Sequence, residues 1–239
     1  MQPNPGKKLE IKIDGQIYLR IPVKTELVTP EVKDYAGFIK NKTEDLLESG
    51  DIVFVSEKMV SIVQGRSYHI KDIKPSWLAT ALSKRVYRNP GGIGLAMPET
   101  MQLAIEEAGG LRILLAAGVA ALTKPLGIKG LFYRIAGRQA AAIDGPVPYA
   151  IPPYNEYASK GPRKPKEAAE RIFAAINPGI SPKEGIRAAA IVDANDLGVE
   201  VLGLFPKERG LKKFVKKALK DNPLGQTNES TPIGIIRKK

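Results

Sequence analysis

Two runs of small and branched apolar residues constrain this chain more than any other feature. Ala188-Ala189-Ala190-Ile191-Val192 leads into Asp193, with Asn195 and Gly198 close behind. A continuous apolar run closed by a turn signal reads as a strand buried on both faces. Gln139-Ala140-Ala141-Ala142-Ile143 leads in the same way into Asp144, Gly145 and Pro146. Each run delivers one carboxylate at a strand end, where α/β proteins often place metal and phosphate chemistry. Two such carboxylates offer the oxygen donors that a hard divalent cation prefers. Aspartate before glycine or asparagine is also common turn chemistry, so the pattern alone leaves both readings open.

What the chain lacks narrows the chemistry. It has no cysteine, which removes disulfides and thiolate chemistry and suits a reducing, cytoplasmic setting. Its one histidine, His69, rules out histidine clusters and reads as structural or exposed. A formal net charge of +12 favours an anionic partner. Met1–Gly6 has no apolar signal region, and the longest apolar run, Leu111–Leu122, is interrupted by Arg112 and too short to span a bilayer. We therefore expect no membrane segment. Asn89-Pro90-Gly91-Gly92-Ile93-Gly94 is glycine-rich but lacks the spacing of a phosphate or dinucleotide loop.

Along the chain, Lys8–Ile21 alternates around Asp14-Gly15 and predicts a β-hairpin. Thr29-Pro30 predicts a helix start, running through Ile39. Ile52–Ser56 is a buried strand. Trp77–Val86 has helical spacing, with Trp77 expected in the core, and Pro98–Ala108 is a helix ended by Gly109-Gly110. Leu111–Leu122 is apolar nearly all round and predicts a buried helix or strand pair. Leu131–Ile135 and Gln139–Ile143 read as strands. Pro146–Pro165, dense in proline and tyrosine, reads as an extended surface loop. Lys166–Ile176 and the basic segment Lys207–Leu219 are amphipathic helices, and Ile233–Ile236 is a closing strand. The sum is an α+β (mixed α/β) fold with mixed sheets and flanking helices. It divides into an N-terminal lobe (1–145), the loop 146–165 and a C-terminal lobe (166–239).

Four blocks in order carry a resemblance. Gly50–Arg66, GDIVFVSEKMVSIVQGR, is similar to the "GD, apolar strand, K-x-V-S, G-R" signature of coenzyme F-420 γ-glutamyl ligases. Ala142-Ile143-Asp144 resembles the family's first metal-binding Asp block, and Ile191-Val192-Asp193 its second. Gly225-Gln226 through Pro232 to Arg237 resembles its closing block. The family joins L-glutamate to the lactyl phosphodiester end of a deazaflavin cofactor, using GTP and a divalent metal.

The resemblance implies that fold and a metal- and nucleotide-dependent amide ligase. It implies magnesium or manganese held by Asp144, Asp193, Gln226 and Asn195. GTP or another nucleoside triphosphate would meet Ile21, Pro22, Val23, Lys24, Glu57, Lys58, Arg66, Thr227 and Asn228. No residue stands out as catalytic. The partners implied are a small anionic substrate, L-glutamate and a second copy in a homodimer, for which Leu111–Leu122 is apolar enough. Where the family has Ser-Asn after its first Asp, a Thr after the second and a Lys after "V-S", this chain has Gly145-Pro146, Ala194 and Ile62. A non-catalytic binder of anionic ligands is thus the alternative. A basic nucleic-acid-associated protein ranks third, having charge but no recognisable module.

Overall fold

Asp14 and Gly15 turn the chain between strands β1 (Glu10–Ile13) and β2 (Gln16–Val23). Their φ angles of 49° and 87° are what a two-residue primed turn requires. The computed structural model describes residues 2–86, 94–128, 130–179, 184–195, 198–225 and 227–239; the glycine-rich turn at 89–94 lies almost wholly outside them. The chain continues through α1 (Tyr35–Thr43), β3 (Ile52–Ser56), α2 (Glu57–Val63), β4 (Ser67–His69), α3 (Trp77–Ser83), α4 (Pro98–Ala108) and α5 (Gly110–Thr123). It ends with α6 (Leu131–Ala136), α7 (Arg138–Ala141), β5 (Tyr157–Ser159), α8 (Pro165–Ile176), β6 (Ala188–Asn195), β7 (Gly198–Phe205), α9 (Leu211–Ala218) and β8 (Ile233–Lys238).

The contacts define two compact units, residues 1–64 with 162–239, and residues 65–161. Most of the segment 146–165 thus belongs with the second unit.

In the first unit a six-stranded mixed sheet runs in the order β1-β2-β8-β3-β6-β7. Only β3 and β6 pair in parallel, and both are apolar because both faces are covered. On one face, Phe54, Ala188, Ala190 and Val192 pack against Leu211, Val215 and Ala218 of α9, whose lysines stay exposed. On the other, α8 buries Ala168, Ala169 and Ile172. Gly203 lets α8 approach: a Cβ there would sit 2.0 Å from the Pro165 carbonyl oxygen.

The second unit packs Ala79, Met101, Leu103, Ile113, Ala116, Ala140 and Ile143 beside the two-stranded β4–β5 sheet.

Several expectations are corrected. Helix α1 begins at Tyr35, because the Asp34 carboxylate accepts from Gly37 N at 3.0 Å and caps it; Thr29 only starts a turn. Leu131–Ile135 and Gln139–Ala141 are helical, not strands, and Ala142 and Ile143 leave the helix in a turn. Short apolar runs do not distinguish the two, alanine favours helix, and Gly137 (φ 91°) separates α6 from α7. Trp77 is 81% exposed. It opens α3 behind the Ser76 cap, and the stripe that α3 buries is Ala79 and Ser83. The loop after Pro146 is a surface segment only at first, since Tyr154 and Ala158–Pro162 are buried. Leu111–Leu122 is a helix, yet only Ile113 and Ala116 of it are buried.

Candidate functional site

Strands β2 and β3 each pair antiparallel with β8, and β6 runs parallel to β3. The C-terminal ends of β2, β3 and β6 therefore meet at one edge of the sheet. The register makes this explicit: Val23 pairs with Ile233, Ile233 with Val55, and Ser56 with Val192. Just beyond lie Lys24, Glu57 and Lys58, Asp193, and the 227–232 loop that enters β8. The carboxyl edge of parallel strands is where open α/β sheets bind ligands.

Local chemistry fixes this edge. Ser56 ends β3 and caps α2 by accepting from Met59 N at 3.2 Å, which sets Glu57 and Lys58 in the first helical turn. The loop before β8 is stitched to the neighbouring strand ends. Thr25 N donates to Ser230 O at 2.9 Å, Ser230 Oγ to Thr25 O at 2.8 Å, and Ser56 N to Pro232 O at 2.8 Å. Thr227 folds onto Glu229, donating from its backbone N (2.8 Å) and its hydroxyl (2.9 Å). Asn228 stands exposed beside it, and Gln226 lies outside the described residues. Ile21 and Val23 turn their side chains into the core, so at the end of β2 the backbone, half-buried Pro22 and exposed Lys24 are left to solvent.

Asp193 does not end its strand, as the sequence pattern implies; β6 runs on to Asn195. Register opposes Asp193 to Glu200 of β7. Between the pairs Ile191–Gly203 and Val192–Val201, β7 holds the extra residue Leu202, a bulge that re-aims the strand beyond it. Strand alternation puts Asp193 on the face covered by α2 and α8, opposite to Val192. Asn195 Nδ2 donates to Asp193 Oδ1 at 3.4 Å, while Asn195 Oδ1 accepts from Gly198 N at 3.1 Å. Glu200 was missed in the sequence. The alternation Val199-Glu200-Val201 just after an Asn-to-Gly turn is the signal that pairs it with Asp193.

The remaining site residues belong to the second unit. Asp144 is exposed and follows α7 rather than a strand; its backbone exchanges two 2.9 Å hydrogen bonds with Ser159. Arg66 is buried, donating from Nε to Gly161 O at 2.6 Å and from Nη2 to Glu107 Oε1 at 2.8 Å. Beside it, Lys160 donates to Glu106 at 2.9 Å and sits 5.3 Å from the centre of the Tyr68 ring. Burial pushes the Glu106 carboxyl up, but hydrogen bonds from Lys160 and Gln102 outweigh this and hold it below its ordinary value. His69 pairs with Glu156 at 3.0 Å. Among the described residues no three acidic or histidine side chains form a ready metal cluster.

The chain is thus an α+β protein whose mixed sheet collects lysine, carboxylate, amide and hydroxyl groups at the carboxyl edge of its parallel strands. A model of the family described as F420-0:Gamma-glutamyl ligase matches residues 22–192, and the chain belongs to that family. The matched span runs from Pro22 in β2 to Val192, one residue before Asp193. No curated protein matches the chain. Among the described residues no helix is long and apolar enough to cross a membrane.

Proposed function

We propose that this chain is a cytoplasmic γ-glutamyl ligase. It joins L-glutamate to the terminal carboxylate of a phosphodiester-bearing deazaflavin cofactor of the F420 type, driven by GTP or another nucleoside triphosphate. The observation that carries this reading is the family match across residues 22–192. The γ-phosphoryl group passes to a substrate carboxylate oxygen, leaving the nucleoside diphosphate. The glutamate amine then attacks the acyl carbon, forms the amide and expels inorganic phosphate while losing a proton.

The sheet edge suits the charges in that sequence. Lys24 and Lys58 hold the triphosphate electrostatically, and Thr227, Asn228 and the backbone around 21–23 position it. Glu57 borders the same turn. The donors present are carboxylate and amide oxygens, which suit a hard cation. Asp193 with Asn195, joined by Glu200 and by Gln226 of the family's closing block, would hold magnesium or manganese. The metal, when bound, neutralises charge on the phosphoryl group in transfer. The test is incubation of the full chain with such a deazaflavin acid, L-glutamate, GTP or ATP, and either metal. Mass spectrometry should show one added glutamyl residue, with phosphate released. No product under any combination overturns the ligase reading.

A second reading has its own support. Ile62 is buried in α2, and the Arg66 guanidinium is committed to Gly161 and Glu107, so two expected phosphate contacts are not offered. A family member that binds an anionic ligand without ligating it would show metal-dependent triphosphate binding by calorimetry and no turnover.

A further inference from the structure

Seven of the eleven large apolar side chains that stand exposed among the described residues fall within residues 111–133. Helix α5 carries most of them. Leu111, Leu115 and Leu122, with Leu126 in the 3-10 turn that follows, are 87%, 62%, 76% and 74% exposed. Their spacing keeps them on one side of the helix. Ile113 and Ala116 are buried on the other side and hold α5 along the surface of its unit. Arg112 fixes its start, donating from Nε to Ile135 O of α6 at 2.6 Å, and Gly137 leaves room for that guanidinium: a Cβ there would sit 2.7 Å from Nη2. The result is a held apolar ridge. A patch of this extent on a chain that folds by itself marks a binding surface.

The charge around the ridge decides what covers it. From Ala108 to Ile143 the chain carries Arg112, Lys124, Lys129, Arg134 and Arg138 and not one acid. Lys124, between Leu122 and Leu126, and Arg134, beside exposed Tyr133, both stand in solvent. Apolar side chains flanked by cations alone complement an anionic lipid surface, which offers acyl chains and phosphates together. The leucines project, so the face inserts into a partner and is not a groove that receives a peptide. We infer that α5 is an interfacial anchor. It lies flat on an anionic bilayer, its outer leucines at the boundary of the acyl chains and its flanking cations among the headgroup phosphates. Its 14 residues span about 21 Å, too short to cross the bilayer. This anchoring goes beyond the ligase reading and does not rest on it.

The test is co-sedimentation of the full chain with vesicles of phosphatidylcholine, alone or mixed with phosphatidylglycerol. Binding to the mixed vesicles should be at least tenfold tighter and should weaken as salt rises. Charge alone would do this in so basic a chain, so substitutions on the ridge carry the decision. Leu115→Glu combined with Leu122→Glu should weaken binding at least tenfold without lowering the melting temperature, since both side chains are exposed. Lys124→Glu should weaken it about fivefold or more, the worth of one cation at an anionic surface. Lys212→Glu combined with Lys216→Glu, on basic helix α9, changes the net charge twice as much as the leucine pair and should matter less than Lys124→Glu. The chain has no cysteine, so a polarity-sensitive fluorophore on Leu122→Cys should shift blue on the mixed vesicles, while one on Lys213→Cys should not. Equal binding to the two kinds of vesicle overturns the inference. So does a leucine variant that binds as wild type does, or a label at residue 122 that stays in water. A chain that ignores vesicles and forms a dimer broken by the leucine variant overturns it too, and gives the ridge to a second copy.

Discussion

Arg237 and Asp51 clamp the sheet at the edge opposite Asp193. Arg237, near the end of β8, donates from Nε to Asp51 Oδ1 at 3.0 Å and from Nη2 to Asp51 Oδ2 at 2.7 Å, and it also bonds Glu48 and the Leu46 carbonyl. Asp51 is 1% exposed. Removing one partner of a buried ion pair strands the other charge and costs about 3–5 kcal/mol. Arg237→Met should therefore lower the urea midpoint strongly. Adding Asp51→Asn should recover part of the loss, because the remaining side chain is neutral and can still accept the Glu48 N–H. Equal midpoints for the single and double variants would contradict this.

Arg20 and Asp221 set a pH dependence. Burial pushes the Asp221 carboxyl up, but the hydrogen bonds and charge of buried Arg20 outweigh it and hold the group below its ordinary value. A depressed carboxyl contributes stability above its unfolded value, about 3.9. That contribution is lost as the pH falls through the folded value. Asp221→Asn should be less stable than wild type at neutral pH and lose less stability on acidification below about pH 4. Asp221 is partly exposed, so screening keeps the effect small. Urea midpoints from pH 7 to 2.5 measure both slopes; parallel curves would refute the assignment.

The parts of this fold that local patterning determines were legible in the sequence. The Asp14-Gly15 hairpin, the buried strands at Ile52 and Ala188, and the helices at Pro98 and Lys166 all rest on period, turn residues or caps. The misread elements turn on tertiary context. An apolar run such as Leu131–Ile135 fits helix or strand until its neighbours choose, and nothing local to Trp77 or Leu111 says whether another element covers it. The candidate site divides the same way. Lys58 follows, and Asp193 lies within, a strand that the sequence marks, whereas the burial of Arg66 against Glu107 and the pairing of Asp193 with Glu200 are long-range facts of packing and register.

Lys58 and Arg66 should separate binding from folding. Lys58 stands half-buried at the sheet edge, so Lys58→Ala should weaken triphosphate binding about tenfold, ~1.4 kcal/mol, with little change in melting temperature. Arg66→Ala removes the donor to Gly161 O and leaves half-buried Glu107 with Lys160 alone, 4.0 Å away, so it should destabilise the fold by about 1–3 kcal/mol. In the remaining folded protein, affinity should be unchanged. Calorimetric titration and thermal melts of the two variants measure this, and the reverse pattern would move Arg66 into the binding site.

Asp193 gives the sharpest test of the proposed cation site. Asp193→Asn keeps the shape and the β6–β7 ladder while removing one negative charge. If the carboxylate holds a divalent cation, triphosphate affinity in magnesium or manganese should fall at least tenfold, about 1.4 kcal/mol. Affinity without metal should change little. Stability should also change little, because like charges placed directly opposite in a sheet repel and the variant removes that repulsion from the Asp193–Glu200 pair. Glu200→Gln makes the same electrostatic change from the other strand. It should lower metal-supported affinity too if Glu200 shares the cation. A purely structural Asp193 predicts the opposite: an unchanged titration with stability lowered by about 1 kcal/mol from lost hydrogen bonding, seen as a lower melting temperature. Titrations of both variants with and without metal, set beside their melting curves, decide between a cation site and a strand-pairing detail.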